Sequence, residues 1–485
     1  MIKIKYGMDG WNAQIAKDFT YESVRLVTQG IATYVKSHNL NQTGIAVGYD
    51  NRFLSEEFSM ECAEVLIGNG IKVHLFKKPV PIPLLAFAIH KLKLGGGLMV
   101  TASHYAPTMN GIRFLTEQAG PAMPYINNEI EQDIDKAFAS NKYYQLALEQ
   151  SKGLDLSEEI ELDKEYVQQL LKLSLQDGLK NREQPLKVVI DPMFGSALGY
   201  LDKILIDLNC EVKTINNYRD AMFGNTIPSP LDSSLADLKR AVISYKADMG
   251  FALDGDGDNY VVVDQNGEVV ESRDLTAMLL YYLLKTRSTR GPVCRTIATS
   301  HCLDNIAREN GLSIIETPVG FSYISEAIQQ KSCLLGVEES GGLTVMGHIP
   351  YKDGILACLL AAEMLAANEG KTLSDLQNEL EVLYGLDSYE QINISSNAVK
   401  MTYIKQKLEN WNPTVLAGEK VVNSLTTEQD GKKLVLESGN WLLIRASSTE
   451  ECYRICIEAR DGEALQRIRE ELFTSASFLK EEEDS

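Results

Sequence analysis

The sequence predicts an α/β protein with largely parallel sheets, followed by a separate C-terminal α+β domain. Two observations carry that reading. Short apolar, strand-like runs alternate with helix-periodic runs for most of the chain, which is the rhythm of βαβ units. The last hundred or so residues break this rhythm with closely spaced strands. At 485 residues the chain is too long for one core, and its length suggests about three or four domains.

In chain order, Thr43 to Asp50 reads as a strand ending in a polar turn, Ser55 to Gly68 as a helix and Ile71 to Phe76 as a strand. Gly95 to His104 is a buried strand that delivers polar residues at its carboxyl end, where open α/β sheets place ligands. A charged helical stretch from about Asp155 to Lys180 reads as a connector. The second block has strands at Leu186 to Ile190 and Glu211 to Ile215, with helices near Gly199 to Leu208 and Ser234 to Tyr245. The third has helices at Asp274 to Lys285 and Leu303 to Asn310, with strands at Val293 to Ala298 and Leu334 to Val337. The final block has strands at Lys433 to Leu436, Trp441 to Arg445 and Arg454 to Glu458, and helices at Lys400 to Glu409 and Gly462 to Leu472.

A net charge of −20 excludes a nucleic-acid partner, because phosphate backbones require a basic surface. Any anionic small substrate must therefore be held by a local cluster of cations or backbone amides. No apolar run approaches the roughly 20 residues of a membrane helix. The amino terminus lacks the apolar core of a signal peptide, so a cytoplasmic protein with no membrane partner is expected. The eight cysteines are scattered through apolar segments without metal or redox spacing and read as buried thiols.

Four segments carry chemistry. Asp254, Asp256 and Asp258 alternate with glycines between two apolar runs, so their carboxylates can converge on one hard cation. Mg²⁺ beside a phosphate suits so few carboxylates. An EF-hand does not, because Gln265 stands where that loop needs glutamate. The alternative is an acidic surface turn. Ser103, beside His104 at a strand end, is a candidate nucleophile, although His104 could equally hydrogen-bond a nearby turn. Gly336 to Gly342 presents Glu338 and Ser340 as candidate partners of sugar hydroxyls, or forms a polar turn. Arg445 and Arg454 bracket Ser447, Ser448 and Thr449, a set able to hold phosphate through charge-assisted hydrogen bonds, or a hydroxyl-rich surface loop.

In this order the four segments resemble the α-D-phosphohexomutases, the phosphoglucomutase/phosphomannomutase superfamily. Ile4-Lys-Tyr-Gly-Met-Asp-Gly-Trp11, Gly48-Tyr-Asp-Asn-Arg52, Asp191-Pro-Met-Phe-Gly195, Glu316-Thr-Pro-Val-Gly-Phe321 and Lys352-Asp-Gly-Ile355 extend the likeness over nearly the whole chain. The resemblance implies a four-domain architecture around a central cleft, three α/β domains with mixed sheets and a C-terminal α+β domain. The divisions are expected at residues 1–150, 151–264, 265–385 and 386–485, which hold the serine, metal, sugar and phosphate loops respectively. It implies that phospho-Ser103 exchanges its phosphoryl group with a hexose phosphate through a bisphosphorylated sugar, with glucose 1,6-bisphosphate as activator. Mg²⁺ would be bound by Asp254, Asp256, Asp258 and a phosphate oxygen on Ser103. Glu338 and Ser340 would bind the sugar, and Arg445, Ser447, Ser448, Thr449 and Arg454 the phosphate that is not reacting. The Glu338-Glu-Ser-Gly sequence resembles the glucose-preferring form of the sugar loop.

The chain departs from the family pattern at charged positions. Asn12 and Asn259 stand where relatives keep arginine, Arg113 and Ser322 where relatives have lysine, and Tyr105-Ala106 replaces Asn-Pro. Arginine stays protonated, so Arg113 can hold phosphate but is a poor base, which leaves His104 as the nearest candidate. Losing one electrostatic stabiliser costs on the order of 10² to 10³ in rate. The leading expectation is a phosphohexomutase acting on hexose 1- and 6-phosphates, weakened if every one of these losses is real and not if other side chains compensate. The alternatives are an inactive relative that binds a sugar phosphate or a protein partner, and a sugar-phosphate phosphatase.

Overall fold

The computed structural model describes residues 4–385, 388–395, 397–427, 431–447 and 452–479. The first sheet runs in the order Trp11–Gln14, Met109–Thr116, Gly96–Val100, Ile45–Tyr49, Val73–Phe76 and Ser157–Ile160. Its first two pairings are antiparallel and the rest parallel. The second sheet places Val269–Val270, Tyr260–Asp264 and Met249–Leu253 antiparallel, then Lys187–Asp191 and Glu211–Thr214 parallel. In the third, Ile314–Thr317, Val293–Thr296 and Leu335–Val337 are parallel and Leu343–Val345 returns antiparallel. The fourth sheet, from Ser388–Ser395 to Cys452–Ala459, is wholly antiparallel. The first three sheets are thus mixed, because hairpins add antiparallel strands at one edge of each parallel set.

One expected element is different. The stretch read as a helical connector opens with the strand Ser157–Ile160, which pairs with Val73–Phe76 and extends the first sheet beyond residue 150. Helices Asp163–Leu173 and Asp177–Lys180 follow it. Charged residues such as Glu158 and Glu159 suit an edge strand, where they discourage pairing with other chains, and they hide the strand from a pattern search.

Packing links the first three sheets. A single apolar cluster draws on residues from Ala46 to Leu380, whereas the fourth sheet keeps its own core from Ile394 to Leu479. At the centre lies helix Gly354–Ala366, buried along its whole length and capped by Asp353 Oδ1, which accepts from Leu356 N at 3.0 Å. The fourth sheet docks on the third through Trp441, Leu443 and Cys456 against Ile297 and Ala298. Lys433 Nζ enters the same seam and donates to the Ile297 carbonyl at 2.7 Å, His301 Nε2 at 2.9 Å and Glu316 Oε2 at 3.2 Å. All eight cysteines are buried free thiols. Among the described residues, no helix is long and apolar enough to cross a membrane.

Candidate active site

The strand Gly96–Val100 and its antiparallel partner Met109–Thr116 are joined by a turn that carries Ser103. Ser103 has φ of 45°, a left-handed conformation that costs a non-glycine residue of order 1–3 kcal/mol. Its N–H donates to Thr101 Oγ1 at 2.9 Å, and its hydroxyl donates to Asp254 Oδ2 at 2.8 Å. His104 Nδ1 lies 3.4 Å from the same hydroxyl. Burial, reinforced by the Arg113 charge, pushes the His104 imidazole down to about 4, so the ring is neutral and able to accept a proton. The structure therefore brings the serine of the first sheet against the aspartates of the second.

The metal loop shows why glycines separate its aspartates. A side chain at Gly255 would place Cβ 2.5 Å from the Ser103 carbonyl oxygen, so only glycine allows the two loops to touch. Gly257, at φ of 76°, turns the chain beneath Pro81 and Ala197. The loop is tied from both sides, by Ile82 N to the Asp256 carbonyl at 2.9 Å and Gly354 N to the Gly257 carbonyl at 3.2 Å. Asp254, Asp256 and Asp258 are fully buried, with candidate ligand oxygens all within 4.8 Å of one another. Burial and mutual repulsion raise Asp254 to about 6 and Asp256 to about 7. Burial also raises Asp258 to about 7, although Lys352 opposes the shift. Asp256 Oδ1 is buried without a hydrogen-bond partner among the described residues. Three hard oxygens, one of them unpartnered, fit a small divalent cation such as Mg²⁺.

The cation that the sequence reading found missing at Asn259 stands one residue further out. Asn259 Nδ2 donates to Asp254 Oδ2 at 2.8 Å and Asp258 Oδ1 at 2.7 Å, while its Oδ1 accepts from Lys352 Nζ at 3.0 Å. Lys352 also donates to Glu338 Oε1 at 3.2 Å and lies 3.7 Å from Asp258. Arg113, almost fully buried, places Nη1 3.8 Å from both Asp256 and Asp258. Two cations therefore face the carboxylates despite the neutral amide. Lys352 was legible only as part of a matching segment, because its role depends on a fold that brings residue 352 to residue 259. Asn12 lies on the edge strand paired with Gly111, with its Oδ1 buried and without a partner among the described residues.

A cleft of about 500 Å³ opens above this cluster. Its walls include Asp9 and His104 on the first sheet's loops, Asn259 on the second's, Ser322, Glu338 and Lys352 on the third's, and Arg445 and Arg454 on the fourth sheet. Ser340 Oγ donates to Glu338 Oε1 at 2.8 Å, so the two predicted sugar-loop residues do sit together. Arg445 and Arg454 are directly opposite on neighbouring strands, an arrangement of like charges that an anion between them would relieve. Arg445 Nη2 donates to Glu339 Oε1 at 3.0 Å, and Thr296 Oγ1 donates to Glu339 Oε2 at 2.9 Å. Glu339 is thus a link between the third and fourth sheets that sequence reading passed over. Ser447 follows the strand Trp441–Ala446, whereas Ser448 and Thr449 lie outside the described residues. Ser322 points a buried, unpartnered hydroxyl at the cleft wall.

Family models for the phosphoglucomutase/phosphomannomutase alpha/beta/alpha domains I, II and III match residues 3–140, 164–267 and 271–384, and the model for the C-terminal domain matches 404–475. The chain is 29% identical to a protein of Methanobrevibacter smithii named "probable phosphoglucosamine mutase", covering 99% of each chain. It is 27% identical to a phosphoglucomutase/phosphomannomutase of Thermococcus kodakarensis, covering 98% of each. The crystal structure of a phosphoglucomutase/phosphomannomutase family protein from Burkholderia thailandensis shares the fold, with a TM-score of 0.80 at 20% identity over 99% of this chain and 97% of that one. With all four domain models matched in order and the serine, aspartate and arginine loops meeting at one cleft, the chain belongs to the α-D-phosphohexomutase superfamily of intramolecular phosphotransferases.

Proposed function

We propose that the protein interconverts a hexose 1-phosphate and 6-phosphate through phospho-Ser103. The observation that carries this reading is the buried Ser103 hydroxyl at 2.8 Å from Asp254, beneath a cleft lined by its neighbour His104 and by the paired Arg445 and Arg454. A sugar hydroxyl attacks the phosphoryl group; the Ser103 O–P bond breaks as the sugar O–P bond forms. The hydroxyl proton passes to neutral His104, whose Nδ1 lies 3.4 Å from the departing Ser103 oxygen and hands the proton on to it. The bisphosphorylated sugar then turns, Ser103 takes its other phosphoryl group, and the serine proton returns by way of His104 to the sugar oxygen that is released. Asp254, Asp256 and Asp258 would hold Mg²⁺, which when bound supplies positive charge to the moving phosphoryl group. Arg113 and Lys352 add fixed charge on the same side, Glu338 and Ser340 hold sugar hydroxyls, and Arg445, Arg454 and the hydroxyls of Ser447, Ser448 and Thr449 hold the idle phosphate. Closing the fourth sheet over the cleft would exclude water that would otherwise hydrolyse the phosphoserine.

Within hexoses, the Glu338-Glu-Ser-Gly sequence favours glucose phosphates. Glucosamine phosphate is the competing substrate, because the Methanobrevibacter relative carries that name and Asp9 adds a carboxylate to the cleft. The test supplies Mg²⁺, a trace of the matching 1,6-bisphosphate and either sugar 1-phosphate, and follows 6-phosphate and free phosphate. Isomerisation lost in Ser103→Ala supports the mutase, and the faster substrate identifies the sugar. Free phosphate alone would point to a phosphatase. No product from either sugar, with a ligand-raised melting temperature, would leave a binding protein.

A further inference from the structure

Arg52 is completely buried behind the serine turn, and every one of its side-chain N–H groups has an acceptor. Nε donates to Asp50 Oδ2 at 3.1 Å. Nη1 donates to the carbonyls of Ala106 at 2.7 Å and Met109 at 3.1 Å, and Nη2 to those of Ser103 at 2.5 Å and Tyr105 at 2.7 Å. Four carbonyls of one short turn therefore converge on a single guanidinium, which substitutes for the hydrogen bonds that a helix or sheet would provide. Asp50 extends the frame: its Oδ2 accepts from Thr101 Oγ1 at 2.7 Å, and Thr101 Oγ1 accepts from Ser103 N at 2.9 Å. The turn is thus gripped on its carbonyls by Arg52 and on its amide, through Thr101, by Asp50.

We propose that Arg52 is a positioning residue for phosphoryl transfer, a planar template that holds Ser103 in its left-handed conformation and aims its hydroxyl at Asp254. The inference rests on the serine chemistry proposed above. Arg52 reaches only backbone oxygens of the turn, so it acts through the conformation of Ser103 and not on the reacting atoms. The Phe223 ring, on a loop of the second sheet, lies over the guanidinium at 5.1 Å and completes its enclosure. The template therefore spans the same two sheets as the serine and the metal loop. Lysine cannot replace it, since a tetrahedral ammonium offers three donors and no fork to match carbonyls spread along a turn.

Arg52→Lys and Arg52→Ala test the assignment, with kcat, KM, melting temperature and hydrogen–deuterium exchange as readouts. In Arg52→Lys, kcat is expected to fall by about 100-fold, the cost of a misplacement near 1 Å, with KM for the sugar phosphate within about threefold of wild type. Exchange at residues 101–109 is expected to quicken while that of helix 354–366 stays as in wild type, and methylguanidinium should restore part of the kcat lost in Arg52→Ala. Wild-type kcat in Arg52→Lys would overturn the proposal. So would unchanged exchange at 101–109, or a fall in kcat that only tracks the folded fraction. If Arg52→Ala does not fold, Arg52→Lys decides alone. Should the wild-type protein show no mutase activity, the serine chemistry fails by itself, and exchange at 101–109 still decides whether Arg52 holds the turn.

Discussion

The two ends of the cleft are built on opposite plans. The aspartate end is fully buried, tied by backbone bonds to the first and third sheets, and set in a core that three sheets share. The arginine end lies on an antiparallel sheet with a core of its own and meets the third sheet through the Arg445–Glu339 bond, the His301 N–Glu458 bond and the Lys433 seam. A phosphoryl group moving between oxygens needs charges that are already in place, because reorganising them during the reaction raises the barrier. A bisphosphate that must turn round needs the opposite, a grip that can release and close again.

The largest expected effect probes the fixed end. Lys352→Met should lower kcat by about 10² to 10³ with little change in KM, as measured at saturating sugar phosphate. Asn259→Arg in that background should recover part of the loss, since it returns a cation to the same two carboxylates. No recovery would mean that Lys352 acts by its contact with Glu338 and not by its charge. At the arginine end, Arg445→Met would remove the proposed charge-assisted phosphate bond, about 1.5–3 kcal/mol, and should raise KM by about tenfold or more, with a smaller fall in kcat. A kcat loss as deep as that of Lys352→Met would break the contrast between the ends. The smallest effect lies in the seam. Burial pushes the Lys433 ammonium down to about 8 from its ordinary 10.5. Between those values the unfolded chain binds the proton more strongly than the folded one, so stability rises with pH across that window. Thermal melts should show wild type gaining on Lys433→Met as pH rises from about 8; a constant difference would mean that Lys433 titrates as it does in the unfolded chain.

What the sequence disclosed was chemistry gathered into short runs. Asp254, Asp256 and Asp258, Ser103 with His104, and Glu338 with Ser340 are neighbours in the chain before they are neighbours in space, so spacing alone singles them out. Arg52, Glu339 and Lys352 each reach at least one partner far along the chain, Ser103, Arg445 and Asn259 respectively, which only folding brings near. Helix Gly354–Ala366 was invisible to periodicity for a related reason: buried on every side, it has no polar face to set a period. At Asn259 the chain alone shows a neutral amide, whereas the fold adds the Lys352 ammonium that bonds to it.

The private core of the fourth sheet has one more consequence. Calorimetry should resolve an early transition for the arginine-bearing unit, melted while the shared core keeps the serine and aspartates assembled. In that state a phosphoserine would face open solvent with its charge-stabilising groups still in place. On the phosphoserine chemistry proposed above, the same scaffold would then transfer phosphoryl groups to water, and partial melting would bring slow hydrolysis before it silenced the site altogether.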